Sequence, residues 1–271
     1  MKAPERRKSS RRVSSMVVAA ALAGGACIPL QAIHADAANE LDDAVARAQY
    51  AYFTGDTRSL EAALNLIDAV EVPANLNRSK EYYAAYGRWK LAQLYVDASK
   101  QPRGDKGVAR SAASKAAQGC IQHADAMLKL DPRLAEGHAI EAACGGVTQN
   151  SDSCLRSKSL RTALELDPTN PRIKLVEAIC FGNGGNRSPM ELFEKLRGVV
   201  TAFDTAPVSR PGNPDWGQAE ALVLLGDVQL QRGDALAARD MIEKALVIAP
   251  DYRKAQELLQ AAASRPRGES R

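Results

Sequence analysis

The stretch that most constrains the fold is LLGDVQLQRGDALAARDMIEKALVIAPDY, Leu224 to Tyr252. Leu222, Leu225, Val228 and Gln229 fall three or four apart, and so do Ala238, Ile242, Ala245 and Leu246. Residues at that spacing share one face of a helix. Gly233-Asp234 separates the two runs, and glycine suits the tight left-handed turn between helices. Pro250 ends the second run, because it lacks the N–H that the helical ladder needs. The unit is therefore two antiparallel helices. Gly226, Ala238 and Ala245 sit where the two axes would approach most closely, and only small side chains fit at such a crossing.

The set Leu225-Gly226, Gly233-Asp234, Ala238, Ala245-Leu246 and Pro250 resembles a tetratricopeptide repeat (TPR), a unit of about 34 residues. Similar units recur upstream. Leu41 to Phe53, the turn Gly55-Asp56 and Leu60 to Val70 form a first pair. Lys80 to Ala98 and Val108 to Leu130 form a longer second pair, joined by a connector that departs from the family pattern. A third unit runs from Leu134 to Pro168 and a fourth from Asn170 to about Asp204. Glu141-Ala142-Ala143-Cys144 and Glu177-Ala178-Ile179-Cys180 align 36 residues apart, as internal copies would. Residues 205–214 read as a Pro-containing linker, and Tyr252 to Ala263 as a capping helix. The expectation is an all-α, TPR-like α-solenoid of about five antiparallel helix pairs plus the cap. Each pair has an apolar face that only stacking on a neighbour can bury. The repeat domain spans residues 38–264, and the charged residues 265–271 read as a disordered tail.

The N-terminus is read separately. Lys2, Arg6, Arg7, Lys8, Arg11 and Arg12 precede an apolar, small-residue run from Val13 to Leu30, and Ala35-Asp36-Ala37 follows. Basic, apolar, then small is the layout of a secretory signal, so residues 1–37 are expected to be removed on export to the periplasm. Ser10-Arg11-Arg12 faintly resembles a twin-arginine signal. Cys27 is a second candidate, as a lipid acceptor, although Gly24 stands where lipoproteins place a leucine-like residue. Retention as a membrane anchor is a third possibility, but the run is short and glycine-containing. The chain has 36 basic and 32 acidic residues, and the leader takes six and two of them. The remaining thirty of each are formally neutral, so the basic pI is no argument for nucleic acid.

Four cysteines follow the leader: Cys120, Cys144, Cys154 and Cys180. An even number in an oxidising compartment points to disulfides. Cys144–Cys154 is the preferred pair, on the reading that Gly145-Gly146 end the helix and that a bridge staples the loop. The competing arrangement joins Cys120 to Cys144 and Cys154 to Cys180 across successive hairpin turns. Buried free thiols are the plainer alternative. Cys120, His123, His138 and Cys144 could form a two-Cys, two-His metal set, but the six-residue step from His138 to Cys144 does not keep one helix face. No metal or cofactor is expected. His123 and His138 lie in no recognisable catalytic signature. The run from Gly182 to Asn186 lacks the Gly-Lys-Ser/Thr of a nucleotide loop. Glu141 and Glu177 read as surface carboxylates.

The resemblance implies a concave wall that contacts ligands through the first helix of each repeat. By position those residues are Tyr86, Trp89 and Gln93, then His138 and Glu141, then Lys174, Glu177 and Phe181. In the last unit they are Glu220, Val223, Asp227 and Gln231. Aromatics beside mixed charge suit an extended or helical partner segment with an apolar anchor. Tyr86 and Trp89 could equally pack against a neighbouring helix. The two-carboxylate clamp of lysine-rich co-chaperone repeats is not evident. The resulting expectation is a non-catalytic binding or scaffold protein of the bacterial cell envelope, with another envelope protein as partner. A solute-binding accessory of an uptake system is the alternative, and a self-associating structural subunit the third reading.

Overall fold

The computed structural model describes residues 30–102, 104–148, 151–184, 188–207 and 214–264. These residues form α-helices, one short 3-10 turn at Ala74–Leu76 and connecting loops, with no strand among them. The leader before residue 30, Cys27 and the tail 265–271 lie outside the described residues, as do Gly185 and Asn186.

Five hairpins and a final helix succeed one another. They are α1 (Leu30–Thr54) with α2 (Thr57–Ala69), and α3 (Asn77–Lys100) with α4 (Lys106–Leu130). Next comes α5 (Ala135–Thr148) with a broken return, α6 (Ser151–Arg156) and α7 (Lys158–Leu166). Then follow α8 (Pro171–Gly182) with α9 (Pro189–Thr205), α10 (Gln218–Gln231) with α11 (Ala235–Ile248), and α12 (Arg253–Ser264). The TPR-like solenoid expected from the repeat pattern is thus the observed architecture.

Local chemistry explains the helix starts. Asp56, Asp105, Ser157, Asn170, Ser188 and Asp234 each accept hydrogen bonds from first-turn N–H groups. Such a cap contributes about 1 kcal/mol. Pro171 and Pro189 occupy first-turn positions, where their missing N–H costs nothing. The cap at Ser157 also explains why the third return helix is split in two. At the crossing of α10 and α11, a Cβ on Gly226 would stand 2.8 Å from Ile242 Cγ1 and 3.2 Å from the Ala238 carbonyl. The close approach read from the small residues is therefore real, and Ala238 and Ala245 are fully buried beside it.

The helix α1 runs through the expected cleavage site. Its buried stripe includes Ala37, Leu41, Ala44, Ala48 and Ala51. No helix among the described residues is long and apolar enough to cross a membrane.

The array does not stay open. Phe53, at the end of α1, meets Tyr252, just before α12, with ring centroids 4.9 Å apart. The Tyr52 and Tyr252 hydroxyls lie 3.4 Å apart across two hundred residues of sequence. The first repeat therefore touches the last element.

The cysteine pairing departs from the expected Cys144–Cys154. Cys120 is joined to Cys144, with Cα atoms 6.1 Å apart, and Cys154 to Cys180, with Cα atoms 5.7 Å apart. Gly145-Gly146 do not end α5, which continues to Thr148. Cys144 is thus a mid-helix residue turned toward α4, while Cys154 on α6 faces α8. The bridges join consecutive hairpins.

Candidate functional site

The inner-wall positions are split by the closure of the array. Tyr86, Trp89, Phe181 and Glu220 are buried, and so is Val223. Gln93, His138, Glu141, Lys174, Glu177 and Asp227 are half-buried, and Gln231 is exposed.

The buried group centres on a residue outside the repeat positions. Trp216 lies in the non-helical segment that leads into α10 and is 2% exposed. Its indole stacks on Tyr86 at 4.7 Å between centroids and meets Trp89 edge-on at 5.8 Å. Its Nε1–H donates to the Tyr82 hydroxyl at 2.7 Å. Arg172, from α8, grips the same segment by its backbone, donating to the carbonyls of Trp216, at 3.1 Å, and Pro214. Glu136 holds that guanidinium at 3.3 Å and accepts in turn from Asn170, at 2.9 Å, and from the Tyr82 hydroxyl. Gly217 then turns the chain into α10 at φ 109°, and a Cβ there would also strike the Phe203 ring at 2.6 Å. Glycine is the residue that both constraints allow.

Beneath Trp216 lies Lys90, whose side chain is 1% exposed. Its Nζ stands 4.0 Å from the Trp89 ring centroid and within 5.4 Å of those of Tyr52, Tyr86 and Trp216. Glu220 Oε1 is 3.1 Å away, close enough for an ion pair but outside hydrogen-bond angles. Burial pushes the Lys90 pKa down, and the Glu220 carboxylate pulls it back. Glu220 also accepts from the Gly217 N–H at 2.8 Å and the Tyr86 hydroxyl at 3.3 Å. Burial raises the phenol pKa values of Tyr52, Tyr82 and Tyr86 well above their ordinary value, and the nearby carboxylates add to the shift.

The half-buried positions do not join this cluster. Glu177 pairs with Lys195 at 2.9 Å, and Lys195 also sits over the Phe181 ring at 5.4 Å. Glu141 faces His138 at 3.7 Å, so both carboxylates read as free surface are engaged. Asp227 accepts from Gln231 at 3.3 Å. The Gln93 carbonyl oxygen is buried and finds no hydrogen-bond partner within the protein.

The four residues weighed as a metal set are not gathered as ligands. Cys120 and Cys144 bond to each other, and His123 Nδ1 lies 2.7 Å from Glu81. The sequence reading missed Lys90, Arg172 and Trp216. Lys90 follows the helical pattern of a surface residue, and the linker around Trp216 carries no periodicity. The one available sign was a tryptophan directly after Pro214-Asp215 in a chain with only two tryptophans.

No family model matches the sequence, and no curated protein is similar to it. Solved structures do resemble it. A thermophilic TPR protein of Thermus thermophilus superposes with a TM-score of 0.52 at 14% identity, over 82% of this chain and 98% of that one. YrrB, a TPR protein with an unusual peptide-binding site, gives 0.38 at 16% identity, over 76% and 93% of the two chains. The assembly chaperone of RpL4, Acl4, gives 0.41 at 16% identity, over 86% and 93%. At these identities the first likeness concerns the fold, and the two lower scores add nothing to it.

Proposed function

We propose that the protein is a non-catalytic, exported scaffold of the cell envelope that binds a segment of another protein on its inner wall. The carrying observation is the way the protein already holds a non-helical segment of its own chain. Arg172 grips two of its backbone carbonyls while Tyr86 and Trp89 pack against its buried indole. Backbone capture with one buried aromatic anchor is a common mode of peptide recognition. The leader-like N-terminus and the two disulfides support an oxidising, exported setting. The half-buried polar positions Gln93, His138, Glu141, Lys174, Glu177 and Asp227 supply the accessible part of the wall, and Trp89, Phe181 and Glu220 support it from beneath. The alternative of a solute-binding accessory lacks a comparable observation: the cavity beside Lys90, about 10 Å³, has room for about one water, and the larger space of about 330 Å³ beside Glu40, Arg47 and Leu66 is an open groove.

The test is a crosslinking pull-down from cell envelopes with wild type and with Glu141→Lys/Lys174→Glu. Circular dichroism confirms that the variant is folded. A partner held by wild type and lost by the folded variant is the expected result. A partner retained by both moves the interface off the inner wall, and capture of no partner sinks the scaffold reading. Edman sequencing of the exported form should begin at Ala38.

A further inference from the structure

Three observations meet at one seam, between α3 and the entry to α10. First, polar groups concentrate there. The buried charged residues among those described are Lys90 and Glu220, and they pair across it. Second, the seam is under-satisfied. Lys90 Nζ is buried and has no hydrogen-bond partner within the protein. Buried polar atoms are nearly always paired, so an unsatisfied ammonium at this seam needs a reason. Third, the plug does not fill its seat. The cavity of about 10 Å³ lies under Trp216 and Asp215, and Lys90 lines it.

Such a surface separates more readily than an apolar one, because each polar group regains water on opening. The contacts across it also have the chemistry of a ligand in a receptor. The segment Pro214-Asp215-Trp216 is non-helical, is held through its carbonyls by Arg172, and is anchored by a buried indole.

Resting on the scaffold reading, we propose that this pocket is an exchangeable seat. The chain's own Pro214–Gly217 segment occupies it in the closed form. An extended segment of a partner protein, carrying a tryptophan next to an acidic residue, takes its place. The incoming segment stacks its indole on Tyr86 and accepts from Arg172 through its backbone. The closed array is therefore the self-occupied form of the binding protein, and its partners are recognised by resemblance to residues 214–217.

The probe is a capped synthetic octapeptide with the sequence of residues 214–221, Pro-Asp-Trp-Gly-Gln-Ala-Glu-Ala, beside a control with alanine for its tryptophan. Binding is measured by calorimetry on the purified protein. Trp216→Ala, which vacates the seat, should bind the tryptophan peptide at least tenfold more tightly than wild type. The alanine peptide should show no such gain. Adding Arg172→Met to that variant should lose the gain at least tenfold. A folded Trp216→Ala that binds both peptides equally, or neither, overturns the proposal. If Trp216→Ala loses its helical circular dichroism, Trp216→Phe keeps a ring but gives up the bond to Tyr82. It should still bind the tryptophan peptide more tightly than wild type, and no gain there overturns the proposal. Failure here leaves the scaffold reading standing if the envelope pull-down still yields a partner.

Discussion

Lys90 and Glu220 show how a single buried pair divides into separate energies. Removing one member leaves the other charged and dehydrated. Glu220→Gln should therefore cost about 3–5 kcal/mol in urea unfolding. Lys90→Met/Glu220→Gln should cost clearly less, because no isolated charge remains; equal costs would show that the pair does not interact. The buried tyrosines set the alkaline limit. A phenol whose pKa rises on folding contributes stability in full below its unfolded value of about 10, and loses it as pH climbs through the folded value. Tyr52, Tyr82, Tyr86 and Tyr252 all shift upward through burial, and Tyr83 is pushed up to about 12. Lys90 acts with the opposite sign: its lowered pKa makes stability rise with pH through the window beneath its ordinary value. Stability should therefore hold or rise up to about pH 10 and then fall, each buried phenol steepening the slope by about 1.4 kcal/mol per pH unit. Ultraviolet titration should show these phenolates only as the protein unfolds; their appearance in the folded state would refute the burial. None of this was legible in the sequence, where Lys90 is one lysine beside a tryptophan.

The helical hairpins were the most legible level. The spacing of Leu225, Gly226, Ala238 and Ala245 encoded both the helix face and the close crossing, because 3.6-residue periodicity and side-chain volume are properties of the chain itself. The disulfides were legible as a class but not as pairs. Their connectivity turned on whether α5 ended at Gly145-Gly146 or ran to Thr148, and a glycine pair cannot decide that when packing against α4 and α8 favours the longer helix. The two bridges join cysteines 24 and 26 positions apart. Removing either should cost about 3–4 kcal/mol by loop-closure entropy. Cys120→Ser/Cys144→Ser and Cys154→Ser/Cys180→Ser measure this by urea unfolding. Non-reducing peptide maps should link Cys120 with Cys144 and Cys154 with Cys180; a Cys144–Cys154 fragment would contradict the structure.

At the scale of the whole molecule the decisive feature is closure. Tyr252 on the rings of Tyr52 and Phe53, and Glu220 on Lys90 and Tyr86, join the last repeat to the first two. Tyr252→Ala with Trp216→Ala should open the array, raising the radius of gyration in X-ray scattering while helical circular dichroism stays constant. An unchanged radius would mean that these contacts do not hold the closure. The sequence alone determined the class of fold, the number and order of the hairpins, their small-residue crossings and the four cysteines placed among them. All of these follow from local periodicity and steric volume repeated every thirty or so residues. Only the tertiary structure decided which inner-wall residues remain accessible, which cysteines pair, and that Trp216 fills the pocket beside Lys90. The cysteine pairing depends on where packing lets α5 end; the other two depend on the small rotations accumulated from repeat to repeat, which bring residues more than a hundred positions apart into contact, and no window of sequence contains that sum.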